Sequence, residues 1–128
     1  MDATPLKDVP LFAGVSDEDL SAIAERCHTV DVYPFARLVH EGDFGYRFFV
    51  VLDGTASVRL GDEEIARLGP GEFFGEVALL DHERRIATVE ATTHMTLATM
   101  MVWDFDQMLA DQPAVAERIR EAATARER

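Results

Sequence analysis

Phe73-Phe74-Gly75-Glu76-Val77-Ala78-Leu79-Leu80, with Arg85 nine residues after Glu76 in Arg84-Arg85-Ile86-Ala87-Thr88-Val89, is the part of this chain best suited to chemistry. A glycine lets backbone approach a ligand closely. The amides after it open a short helix whose start favours an anion, and an arginine returned by a loop supplies a forked cation. Together these describe a phosphate cradle. Glu76 sharpens the reading, because a carboxylate repels a bare phosphate and is useful only to a ligand that also brings a hydroxyl donor, as a ribose does. Singly, Glu76 could serve only a helix start, and Arg84 and Arg85 only a solvated turn in Asp81-His82-Glu83-Arg84-Arg85. The combination at this spacing is what carries the signal.

These residues resemble the phosphate-binding cassette of the cyclic-nucleotide-binding domain family: Phe-Gly-Glu, a small apolar helix, then Pro-Arg, a small residue and Ala-Thr-Val. The resemblance implies that Arg85 clamps a cyclic phosphate and that Gly75 and Glu76 hold the ribose 2′-hydroxyl. It also implies that the amides of Ile86 and Ala87 complete the phosphate contacts, with Phe74, Val77 and Ala78 beside the ligand. Two positions depart. Arg84 stands where many members have proline, and Ile86 replaces the usual small residue, removing any hydroxyl there and adding bulk. The ligand implied is cyclic AMP, with cyclic GMP as the alternative, and no other cofactor. The likeness extends over nearly the whole chain through Val9-Pro10-Leu11-Phe12, Glu41-Gly42-Asp43, Phe48-Phe49-Val50-Val51, Asp53-Gly54 and Leu68-Gly69-Pro70-Gly71. Ala36 replaces a common glycine. Within the family the sequence is most similar to the cytoplasmic domains of bacterial cyclic-nucleotide-gated potassium channels, in which an arginine near the end of the final helix reaches over the purine. Matching the helix from Pro113 places Arg126 there, with Arg120 and Arg128 on solvated faces.

The elements that must position these residues follow from periodicity. Ser16 caps a helix in which Leu20, Ile23, Ala24 and Cys27 recur at helical spacing, ending near His28. Strands are predicted over 29–33, 37–40, 47–52, 55–60, 63–68, 87–91 and 95–103, with Asp53-Gly54 as a hairpin turn. Ala56, Val58 and Leu60 should share one face, as should Met95, Leu97, Met101 and Trp103. Asp104 is placed as the cap of a helix over 105–111, and Pro113 opens a last helix whose stripe is Val115, Ile119, Ala122 and Ala123. Its Glu117, Arg118, Arg120, Glu121 and Arg126 should face water. Many short strands with regular turns give a mainly β fold, a β-roll or jelly roll with flanking helices. A single domain over 1–128 is expected: an N-terminal helical part (1–28), a β-roll (29–103) and C-terminal helices (104–128).

Composition narrows the function further. The 128 residues carry 12 Lys and Arg against 24 Asp and Glu, a formal charge of −12 that repels nucleic acid and anionic lipid at long range. Neither DNA binding by this chain nor direct membrane insertion is expected, and a gene regulator would still need a helix-turn-helix after the last helix. No run approaches the roughly 20 apolar residues of a membrane span, and the start of the chain lacks signal-peptide regions, so a cytoplasmic location is expected. Cys27 is the only cysteine and is read as a core residue. Three function classes compete. A regulatory sensor, passing ligand occupancy through its C-terminal helices to a partner protein or a fused effector or channel domain, is favoured. A degenerate docking module of the same fold is kept open by Ile86. A cupin-like metal enzyme is disfavoured because His28, His40, His82 and His94 are scattered, without His-x-His spacing. Ser16, Ser21 and Ser57 lack nucleophile context.

Overall fold

The run Phe48-Phe49-Val50-Val51 has no polar residue in it, which requires a strand covered on both faces. That strand, β3 (Arg47–Asp53), holds the centre of the fold in the computed structural model, which describes residues 1–81 and 84–126. His82, Glu83, Glu127 and Arg128 lie outside the described residues. The remaining strands are β1 (His28–Val32), β2 (Arg37–Val39), β4 (Ala56–Leu60), β5 (Glu63–Leu68), β6 (Phe73–Phe74), β7 (Thr88–Ala91) and β8 (Met95–Met101). They form two antiparallel four-stranded sheets in the orders β1-β8-β3-β6 and β2-β7-β4-β5. Two short 3₁₀ turns (Thr4–Leu6, Pro10–Phe12) and α1 (Asp17–Glu25) precede the strands. Helix α2 (Glu76–Asp81) interrupts them, and α3 (Val102–Asp111) and α4 (Pro113–Arg126) follow.

Alternation along β3 divides two cores. Phe49 and Val51 point between the sheets toward Leu68, Phe74, Val89 and Leu97. Phe48 and Val50 point the other way, under the helices, with Leu20, Ile23, Phe105, Val115 and Ile119. The aromatic rings of Phe49 and Phe74 stack at 4.8 Å, and those of Phe48 and Phe105 meet at 5.0 Å. The helices therefore rest on the outer face of one sheet.

Several local expectations change. Asp53-Gly54 does not close a hairpin, because β3 and β4 belong to different sheets. It is the corner between them, and Gly54 sits at φ +86 where a Cβ would come 2.3 Å from the His94 carbonyl. Leu60 is 52% exposed rather than inward, at the end of β4 and past the bulge that Ile65 makes in β5. Strand β8 stops at Met101: the Val102 amide bonds the Tyr46 carbonyl, the chain enters α3 there, and Trp103 is exposed. Asp104 is not the cap but a first-turn residue, 3.4 Å from Arg26. Helix α1 ends at Glu25, so Cys27 lies just beyond it, buried. Near Ala36, the residue with positive φ is Phe35, at +76. Ser16 does cap α1, accepting from the Asp19 amide at 3.1 Å.

Candidate functional site

Strand β6 pairs Phe74 with Phe49 and Phe73 with Val50, which delivers the chain to Gly75 at the end of the inter-sheet core. Gly75 turns it at φ +97. A Cβ there would stand 2.9 Å from both the Arg47 carbonyl oxygen and Arg85 Nη1, so only glycine fits. Helix α2 begins at once with Glu76 and buries Val77, Ala78 and Leu79. At six residues it sums few peptide dipoles, and the site's charge comes from side chains.

The return of the chain is organised by the loop before β3. Arg84 forms an isolated antiparallel bridge with Phe44, lays its guanidinium 4.2 Å over that ring and donates to the Gly42 carbonyl at 2.7 Å. The Arg85 amide donates to the Asp43 carbonyl at 2.6 Å, and the Gly42 amide to the Arg85 carbonyl at 2.8 Å. With its backbone clamped, Arg85 turns inward: Nη1 donates to the Gly75 carbonyl at 2.9 Å and Nη2 to the Arg47 carbonyl at 2.8 Å. Two of its five N–H donors are thus engaged by neutral oxygens, and among the described residues no carboxylate hydrogen-bonds it. Burial lowers its pKa from the ordinary arginine value, opposed by the charge of Glu76.

Glu76 is fully buried. Its Oε1 accepts a short bond from Arg126 Nη1, while Oε2 has no partner among the described residues. Burial pushes its pKa above the ordinary carboxylate value, and Arg126 opposes this most strongly, with Arg85 contributing less. Arg126 also donates from Nη2 to the Phe73 carbonyl at 2.6 Å. It therefore does not simply face water as its position on the polar stripe predicts. Nor does Arg118, which bonds the carbonyls of Leu11 and Ala13 at 2.8 Å each and ties α4 to the second 3₁₀ turn.

A cavity of about 320 Å³ opens between these groups, and all nine residues singled out from the sequence line it: Phe74, Gly75, Glu76, Val77, Ala78, Arg85, Ile86, Ala87 and Arg126. Arg84 does not. The facing wall is aliphatic and comes from the second sheet, with Val39, Val58, Ile65, Leu68 and Val89. Periodicity marks these as strand residues without saying that they share a cavity. Gly45 is a further missed position: a Cβ on it would lie 2.8 Å from Ala78 Cβ and 2.9 Å from Arg85 Cζ, so its lack of a side chain makes room for the arginine. A fixed cation, a buried acceptor and apolar walls suit a small organic anion that carries a hydroxyl. No group of three or more His, Cys, Asp or Glu among the described residues could hold a metal. Cys27 is outside the cavity, its thiol pushed up to about 11 by burial.

Comparison with known proteins agrees with this geometry. The sequence profile of the cyclic nucleotide-binding domain matches residues 30–112, and the chain belongs to that family. It is 31% identical over 115 residues to a cAMP-dependent protein kinase regulatory subunit of Hypocrea atroviridis, covering 90% of this chain and 25% of the relative. It is 36% identical over 118 residues to a cyclic nucleotide-gated potassium channel of Mesorhizobium japonicum, covering 92% and 33%. The catabolite activator protein of Thermus thermophilus superposes with a TM-score of 0.78 at 28% identity, over 92% of this chain and 57% of that one. The chain thus spans a quarter to a third of these two curated relatives. No helix among the described residues is long and apolar enough to cross a membrane.

Proposed function

We propose that this chain is a non-catalytic regulatory domain that binds one cyclic nucleotide, cyclic AMP in preference to cyclic GMP, in the cavity between α2, Arg85 and the second sheet. The observation that carries this is that one cavity is lined by both Arg85, which among the described residues is anchored only by carbonyls, and Glu76, whose Oε2 has no partner among them. The guanidinium offers donors to a cyclic phosphate, and Oε2 accepts from a ribose hydroxyl. The aliphatic wall takes the purine. Names of relatives support the ligand class: a cAMP-dependent kinase regulatory subunit and a cyclic nucleotide-gated channel are both similar over most of this chain.

Signalling needs an element whose position depends on occupancy, with a coupling of about 1–3 kcal/mol. Helix α4 is suited to this role, since its last turn roofs the cavity through Ala125 and Arg126 while Arg118 holds the N-terminal turn. Its output would be a partner protein or an effector or channel module on the same chain, acting in the cytoplasm. Native mass spectrometry of the dialysed chain mixed with cyclic AMP is the test. One adduct per chain, suppressed by Arg85→Ala, is expected. Absence of any adduct at saturating nucleotide would contradict the proposal.

A further inference from the structure

The two oxygens of Glu76 have different surroundings although the side chain is fully buried where it borders the cavity: Oε1 is held by Arg126, and Oε2 has no hydrogen-bond partner among the described residues. A buried acceptor left unpaired is unfavourable, more so when it is charged. A hydroxyl donor reaching Oε2 would relieve this while the last turn of α4 stays docked on Oε1. Arg126 and such a donor do not compete, because they use different oxygens of one carboxylate. The Phe73 carbonyl, accepting from Arg126 Nη2 at 2.6 Å, fixes the guanidinium and with it the direction of the carboxylate.

We propose that Arg126 is a positioning residue for sugar recognition: by holding Oε1 of Glu76 it aims Oε2 at the ligand's 2′-hydroxyl, so that ribose selectivity depends on the docked α4. This rests on the cyclic-nucleotide reading above. Without Arg126 the terminal torsion of Glu76, which has no sharp intrinsic preference, is released. The largest influence opposing its burial is lost as well, and a protonated carboxyl is a poorer acceptor. Arg126 thus does more than cover the cavity. A mere cover would strengthen binding of ribose and deoxyribose ligands by the same factor.

The experiment is calorimetric titration of cyclic AMP and its 2′-deoxy analogue into the native chain, Arg126→Ala, Arg126→Lys and Glu76→Gln. In the native chain the ribose ligand should bind about ten- to a hundredfold more tightly, the range for a hydrogen bond to a charged acceptor. That ratio should fall to within about threefold in Arg126→Ala and Glu76→Gln, and Arg126→Lys should restore part of it by returning a cation to Oε1. Weakened binding of both ligands with the ratio unchanged in Arg126→Ala would overturn the inference while leaving nucleotide binding intact. So would equal affinities in the native chain. Failure of the native chain to bind either ligand would instead remove the functional reading on which the inference rests.

Discussion

Gly45→Ala replaces one hydrogen with a methyl group and should disable the site by displacing Arg85. Gly45 is not at positive φ, so the backbone tolerates alanine, and the consequence lies entirely in where the new Cβ falls. It would stand 2.8 Å from Ala78 Cβ, 2.9 Å from Arg85 Cζ and 3.0 Å from Arg85 Nε, well inside the roughly 3.5–4.0 Å at which carbon atoms pack. Arg85 cannot swing aside freely, because its guanidinium bonds the Gly75 and Arg47 carbonyls at 2.9 and 2.8 Å. Relief requires breaking one of those bonds or displacing α2 through Ala78. Overpacking of this kind costs about 1–3 kcal/mol of stability. A displaced clamp forfeits one charge-assisted bond to the ligand, about 1.5–3 kcal/mol, or a ten- to hundredfold loss of affinity. Gly14→Ala is the control: at φ +81 with nothing within 4 Å of its Cβ, it should lose about 1–2 kcal/mol of stability through backbone strain and leave affinity unchanged. Urea denaturation and calorimetry of the two variants separate the effects. Native affinity in Gly45→Ala, or equal affinity losses in both, would refute the reasoning.

Cyclic AMP at about a hundred times its dissociation constant should add about 2.7 kcal/mol of stability and raise the melting midpoint by several degrees. Cyclic GMP at the same concentration should shift it less, since Ile86 offers the purine no hydrogen bond, and a larger shift with cyclic GMP would reverse the assigned preference. Glu76 should show an inverted pH dependence. Its folded pKa is raised, so its contribution is fully present below the ordinary value of 4.5 and is lost as pH rises through the folded pKa. The stability of the native chain relative to Glu76→Gln should therefore fall across that window in denaturant titrations, and a rise would contradict the assigned burial. The Cys27 thiol, 4% exposed and raised to about 11, should react with maleimide only at the rate of unfolding, and rapid labelling of the native chain would show the N-terminal core to be open.

The cassette was legible in the sequence because its residues are contiguous and its spacing is local: Phe74 to Ala78 and Arg85 to Ala87 all reach one cavity. The aliphatic wall was not, because Val39, Val58 and Val89 meet only through the register of β2, β4 and β7, which no local pattern encodes. Gly45 carried no signal either, since its role depends on an arginine 40 positions away in the chain. Asp53-Gly54 shows the limit of turn chemistry. The dipeptide correctly marks a reversal with positive φ at Gly54, but the partner of the next strand is chosen by burial between two sheets. The end of β8 is masked for a similar reason: Trp103 continues an apparent alternation, yet the chain enters α3 at Val102, whose amide makes a last bond in register with the ladder to the Tyr46 carbonyl. Strand β6, at two residues, is too short for any periodicity to register.

Calorimetric titration of cyclic AMP into the native chain, Arg85→Ala and Arg84→Ala decides whether Arg85 and Glu76 bind a cyclic nucleotide between them. Arg84 is bound to Phe44 and Gly42 outside the cavity, whereas Arg85 lines it. One site per native chain, a loss of about ten- to a hundredfold in Arg85→Ala and little change in Arg84→Ala are expected. No binding by the native chain, or equal losses from the two arginines, would contradict that mode of binding.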